Sequence, residues 1–347
     1  MARLLTEGFE SGDWGYSSGG VIRGGGSTHS VQDTVVRSGD YAMKTSFAAL
    51  GTYSYVQQLV NGDVFYIRWA WRHDWPGGEV ATSGLLRLME GGSNHVVMMI
   101  DQETLIPYLD VLGSTVDTAT VILPSNQWMI LEAYVKIANS GGAVTIKLNG
   151  TTILSYSGDT CHGSNEYATS IHIGVLNSGP SYNNYWLDDI AINDDSGSYQ
   201  NSWVGMGGII ALRPTADGNT NDWSRSEGSD NYALVDETPA DGAAWVQALT
   251  SGDLDQYEIE DTPDYVDSID LVEIVVQAAL SESGSNDLGF TMRQASSDYD
   301  DTQEYTVVSV IDDYVMYKGD THYVQPDGSG AWTEAKLDAL EIGVNIP

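Results

Sequence analysis

Apolar and polar residues alternate with a period of two along much of this chain, in short runs that end at Gly/Ser/Asn/Asp clusters such as 90–94 and 139–142. Val144-Thr-Ile-Lys-Leu148 is followed at once by Asn149-Gly150 and then by Thr152-Ile-Leu-Ser-Tyr156. Successive strand side chains face opposite ways, and Asn-Gly tolerates the positive φ angles of a type I′ turn, so the segment predicts a hairpin. The same alternation predicts strands at 53–60, 64–72, 85–89, 96–101, 129–137, 170–176 and 185–193. So many short strands predict a sandwich of two antiparallel sheets.

The stretch Asn193–Ser202 is polar and lacks apolar periodicity. It divides the chain into a domain at 1–194, a linker at 195–202 and a second domain at 203–347. In the second domain strands are predicted at 208–213, 232–235, 244–249, 256–260, 269–280, 289–293, 304–310, 313–317 and 341–344. One short helix is predicted at 333–340, with Thr333 as N-cap and Ala335, Leu337 and Leu340 as its apolar stripe. The expected fold class is all-β: two β-sandwich domains, the second smaller and carrying that helix near the C-terminus.

Composition agrees with this. The 38 Gly, 20 Tyr and 10 Trp suit strands and tight turns, and 41% hydrophobic residues suffice for a folded core. Charge adds a constraint on partners. With 14 Lys+Arg against 49 Asp+Glu the net charge is -35, which repels phosphate backbones and anionic bilayers and attracts divalent cations. Neither nucleic acid nor a membrane is expected as a partner. Cys161 is the single cysteine, so no intramolecular disulfide forms. The segment from Met1 to Phe9 has no apolar signal-peptide core, and the expectation is synthesis in a host cytoplasm without a signal peptide.

Four segments of the first domain resemble the concanavalin A-like jelly-roll superfamily of legume lectins, laminin G-like modules and glucanases. They are Gly8-Phe9-Glu10-Ser11-Gly12, the run Gln127-Trp128 to Glu132, the hairpin at 144–150, and Tyr185-Trp186-Leu-Asp-Asp-Ile190. The second domain resembles C-terminal β domains of virion structural proteins of tailed phages, through 211–218, 231–239, Asp255-Gln-Tyr257 and 331–344. This second resemblance implies a component of a phage particle, located at the virion surface.

Candidate chemistry is sparse. Jelly-roll glucanases carry their two carboxylates as Glu-x-Asp-x-x-Glu on one strand face. The nearest run here, Glu258-Ile-Glu-Asp261, has other spacing and lies in the second domain. The six His form no ligand-spaced pair. The chain is therefore expected not to be an enzyme. No cofactor is expected except calcium, for which two sites are candidates. Asp217, Asn219 and Asn221 alternate as in the first half of an EF-type loop, but Asp222 and Gly228 replace the loop's Gly and terminal Glu, so a polar turn explains them as well. Asp188, Asp189, Asp194 and Asp195 flank the last jelly-roll strand, where the resemblance implies a calcium in many lectins; period-two alternation sends the adjacent Asp188 and Asp189 to opposite faces. For glycan stacking the candidates are Trp75, Tyr53 and Tyr55, while Trp69 and Trp71 share a face with Ile67 and are read as core.

The expected function is a structural component displayed on a tailed-phage particle, a head decoration protein or surface fibre. Its partners would be other virion proteins of capsid or tail and further copies of itself. The alternative is a carbohydrate-binding tail protein that recognises a host surface glycan, with a polysaccharide hydrolase third.

Overall fold

A computed structural model describes residues 2–13, 20–49, 51–177, 183–240, 242–248, 250–280, 286–307 and 314–347. The hairpin read at 144–156 is present, with positive φ at Asn149 (49°) and Gly150 (79°) as its turn requires. It forms the edge of an eight-stranded antiparallel sheet. From that edge the order is β13 (Thr151–Gly158), β12 (Gly142–Leu148), β11 (Met129–Lys136), β6 (Val64–His73), β15 (Asn184–Asp194), β4 (Ala42–Phe47) and β3 (Ser27–Gln32), with β1 (Arg3–Glu7) also on β15.

A second sheet of seven strands runs β10 (Ser114–Thr118), β9 (Pro107–Val111), β8 (Ser93–Asp101), β7 (Thr82–Glu90), β14 (Ala168–Val175), β5 (Tyr53–Gly62) and β2 (Gly20–Gly25). The inward sets of both sheets merge into one core: Ile67, Trp69 and Trp71 of β6, Leu131 and Val135 of β11, Leu86 and Leu88 of β7, and Ile171 and Ile173 of β14. All are buried, which is what period two on each strand predicts for a sheet with one covered face.

One irregularity organises this unit. The first half of β15 pairs with β4 through residues 184–187, and its second half pairs with β1 through 190–193. Between the halves the register with β6 slips, and Asp189 takes φ 51°. A bulge of this kind re-aims side chains. Asp188 and Asp189 consequently face the same residues, Arg37 and Ser38, instead of opposite faces as strict alternation predicts.

The first unit continues to Ile210 and the second runs from Ala211 to Pro347, so the boundary lies beyond the expected linker at 195–202. The segment 203–209 spends its backbone on the first unit. Gly205 N donates to Glu132, Gly207 O accepts from Arg37 and Arg68, and Ile209 N donates to Asp189. These bonds leave the predicted strand at 208–213 unformed.

The second unit is built on a sheet ordered β16 (Pro214–Asn221), β19 (Leu254–Ile259), β25 (Leu340–Asn345), β21 (Asn286–Gln294) and β22 (Ser297–Asp300), with β23 (Tyr305–Val307) on β21. Two short ribbons join it: β17 (Ser224–Arg225) with β18 (Val246–Gln247), and β20 (Val275–Ala278) with β24 (Val315–Lys318). Phe290, Met292, Tyr317, Trp332 and Val344 form its core. The helix shortens to one turn, α1 (Glu334–Leu337), and Thr333 is its extended N-cap. The predicted strand at 232–235 is instead a 3-10 turn at 232–234, and 269–280 is a strand only at 275–278. Residues 308–313 of two further predicted strands lie outside the described residues. The fold class is the expected one, all-β with several antiparallel sheets and a short C-terminal helix.

The core depends on its aromatic wall. Trp71 is fully buried, stacks on Tyr185 at 4.8 Å and 16°, and meets Trp75 edge-on at 5.8 Å. Trp71→Ala is expected to cost about 3–5 kcal/mol through lost burial and the cavity left behind. Urea unfolding of the full chain checks it, and a loss below about 1 kcal/mol would contradict the packing described.

Candidate functional site

The outward face of the seven-stranded sheet gathers side chains that lie far apart in sequence. Cross-strand register places Asp110 (β9), Val97 (β8), Arg87 (β7), His172 (β14) and Gln57 (β5) in one row across the strands. Beside it, Tyr108 (β9) aligns with Met99 (β8) and Met99 with Gly84 at a bulge in β7, while Gly174 (β14) aligns with Tyr55 (β5). The alternate residues Leu109, Met98, Ile173 and Val56 point into the core, which fixes these rows on the solvent side.

At one end the side chains stack. Tyr55 lies on His172 with centroids 4.5 Å apart and planes at 11°, and Tyr53 lies beside Tyr55 at 5.9 Å and 28°. The Arg87 guanidinium sits 5.9 Å from the Tyr55 ring centre and donates from Nη2 to His172 Nδ1 at 2.8 Å. An arginine only donates, so His172 Nδ1 is the acceptor and the imidazole is the tautomer with its proton on Nε2. Arg87 forms no ion pair among the described residues, and its buried Nε has no hydrogen-bond partner. Burial lowers the Arg87 pKa, with Tyr55 opposing. A half-buried cation without an acid is unusual in a chain of net charge -35. The arrangement offers an aromatic platform beside a guanidinium, which suits a sugar ring carrying an anionic group.

The expected site residues are distributed as follows. Tyr53 is 39% exposed, and Tyr55 is half-buried in the stack just described. Trp75 is only 1% exposed and packs edge-on against Trp71, so it offers no surface for sugar stacking. Trp69 and Trp71 are core, as read from the sequence. Asp188 and Asp189 are fully buried, and the chain itself supplies partners for their oxygens. Asp188 accepts from the backbone of Arg37 and Asp189, while Asp189 accepts from the Arg37 guanidinium at 2.5 Å, Ser38 Oγ and Ile209 N. Burial and the neighbouring Asp189 charge push the Asp188 carboxyl up to about 9. A calcium here would have to displace Arg37, so this donor set does not fit the ion.

Asp217, Asn219 and Asn221 lie on the extended strand β16 instead of a turn. Asp217 caps Tyr232 N, and the Asn219 side chain donates to Thr220, so nothing wraps them round an ion. Among the described residues no three His, Cys, Asp or Glu side chains group as metal ligands. No helix among them is long and apolar enough to cross a membrane. A depression of about 330 Å³ between Leu4, Leu59, Val60, Phe65 and Asp194 carries no chemistry of its own.

Arg87, His172 and Gln57 have no sequence signature, because only the pairing of β7, β14 and β5 brings them together. A buried polar centre in the second unit also has none. Asp255, fully buried, accepts both from Asn231 Nδ2 (2.9 Å to each oxygen) and from Tyr257 Oη (2.5 Å). The i, i+2 spacing of Asp255 and Tyr257 on β19 puts them on one face.

No family model matches the chain, and no curated protein does. Several solved structures resemble it. "Cellulose induced protein, Cip1" is 20% identical with a TM-score of 0.44, over 58% of this chain and 100% of that one. An endo-beta-1,4-glucuronan lyase from the fungus Trichoderma reesei is 13% identical at TM-score 0.43, over 55% and 95%. The alginate lyase Aly36B is 16% identical at 0.34, over 45% and 82%. Scores below 0.5 at such identities assign no function. They do correct one expectation, that the chain is not an enzyme. That expectation rested on the missing carboxylate pair of hydrolases, and the similar structures include lyases, a class that the pair does not diagnose.

Desolvation raises the Asp255 carboxyl from 3.8 to about 6, against the lowering effect of its bonds from Tyr257 and Asn231. The native state therefore holds this proton where the unfolded chain has lost it. Its stabilising contribution is complete below pH 3.8 and disappears as the pH rises through about 6. Asp255→Asn is expected to remove this pH dependence, on the order of 3 kcal/mol. Urea unfolding of both proteins between these limits tests it, and parallel profiles would refute it.

Proposed function

We propose that the chain recognises an acidic polysaccharide on the open face of the seven-stranded sheet, with Tyr53 and Tyr55 stacking on sugar rings and Arg87 receiving a carboxylate or sulfate. The observation that carries this reading is Arg87, a guanidinium held by His172 and Tyr55 with no acid of its own among the described residues. A ligand anion would restore the interaction that desolvation of the guanidinium costs. His172 positions the arginine, and binding and cleavage are both read out in the test.

Glycan arrays followed by calorimetry on acidic and neutral polysaccharides test the proposal. The acidic set is expected to bind, and Arg87→Ala is expected to weaken binding about tenfold or more, with Arg87→Lys only partly restoring it. Equal binding of neutral glycans, or an Arg87→Ala variant that binds normally, refutes it. Loss of chain length in the bound polysaccharide would add catalysis to recognition.

The proposed setting is the surface of a tailed-phage particle, where the chain would sit as a decoration or fibre among other virion proteins and copies of itself. The phage-like segments at 211–218 and 331–344 support this setting. Gel densitometry of purified particles is expected to show copy numbers comparable with the capsid subunit, and only a few copies per particle would favour a tail location.

A further inference from the structure

The binding face has a second pole. Tyr108 stands on the same outward face as Tyr55, but at the other side of the sheet, on β9. Four strand spacings separate β9 from β5, which is roughly 19 Å at about 4.8 Å per spacing. Tyr108 is half-buried with its neighbours Pro107 and Leu109 turned inward, so its ring belongs to the solvent face. Between the two tyrosines lie Met99, aligned with Tyr108, and Gly84, aligned with Met99. Gly84 projects no side chain above the sheet there, and a Cβ on it would lie 3.0 Å from Leu176 and 3.3 Å from Val97.

Resting on the reading above, we infer that Tyr108 forms a second aromatic subsite and that the face binds an extended acidic oligosaccharide running across the strands from Tyr55 to Tyr108. Arg87 lies in the adjoining row, between the two poles, where an anionic group in the middle of such a chain would meet it. Asp110, next to Tyr108 but in the Arg87 row, places a carboxylate at the far end, so a second anionic group is disfavoured there. A disaccharide cannot span both poles. Affinity should therefore rise steeply once the ligand is long enough to touch both tyrosines, and then level off.

Oligogalacturonates of defined length, from dimer to octamer, are the probe, titrated calorimetrically into the full chain alongside a panel of other acidic oligosaccharides. The expected result is weak binding of the dimer and a rise with length. Tyr108→Ala should weaken the octamer about tenfold and leave the dimer unchanged, while Tyr108→Phe retains the octamer affinity. Circular dichroism of each variant separates a binding loss from misfolding. Equal affinity for dimer and octamer, or a Tyr108→Ala variant with normal octamer binding, overturns the second subsite and leaves the Arg87 reading standing. If no acidic oligosaccharide of any length binds, both fall together.

Discussion

The ion pair between Arg37 and Asp189 holds the corner on which the first unit turns. Asp189 sits where β15 exchanges one neighbour for another, β4 before the bulge and β1 after it. A strand that changes partners leaves backbone groups and two carboxylates in a place closed to water. Arg37 meets this by binding the Asp189 carboxylate while also donating to the carbonyls of Met206 and Gly207. Arg68 adds bonds to Asp189 O and Gly207 O, at the cost of desolvation that pulls its pKa down to about 10. Asp188 yields its charge, since two adjacent buried carboxylates beside Arg37 are not both ionised at neutral pH. The segment 203–209 is thereby tied to the sheet, and the first unit ends at 210 instead of 194.

The same sandwich construction explains why the exposed chemistry lies on a sheet face. Both sheets commit one side to the shared core, and the segment 203–209 adds cover to the eight-stranded sheet, where Trp203 meets Tyr66 and Tyr134 and lies under Lys147. The seven-stranded sheet carries Tyr53, Tyr55, Arg87 and Tyr108 on its outward side. Shallow, row-ordered sites of this kind bind by stacking and by a few aligned polar groups, and extent across the strands substitutes for depth. His172 and Tyr55 are the groups that contact Arg87 on this face.

Sequence reading reached as far as local pattern reaches. The hairpin at 144–156, the inward set of β6 and the N-cap at Thr333 follow from alternation, turn chemistry and capping, each contained within a few residues. Three things were not local. The boundary at 210 depends on Arg37 and Arg68 reaching across the fold. The bulge at Asp189 breaks the alternation that assigns Asp188 and Asp189 to opposite faces. Trp75 resembles an exposed platform in composition, yet the turn after β6 folds it back on Trp71. The proposed binding face depends on β14 lying between β5 and β7, and that order joins residues more than a hundred positions apart, such as Tyr55 and His172.

A chain of net charge -35 is an unlikely partner for an anionic polymer on bulk electrostatics alone, and the location of that charge resolves the conflict. Residues 211–347 contain 29 of the 49 acidic and 5 of the 14 basic side chains, so the first unit carries a much smaller excess. Long-range repulsion is screened over about 8 Å at physiological ionic strength, whereas a contact with Arg87 in its desolvated setting is screened far less. On the proposed reading salt acts mainly on the repulsion: it weakens the barrier to an acidic glycan's approach and leaves the contact with Arg87 largely intact. On that reading, association of an acidic polysaccharide should accelerate with added salt over the range where a basic binding protein would lose affinity, because Arg87, bonded to His172 and without an acid among the described residues, lies on an acidic molecule.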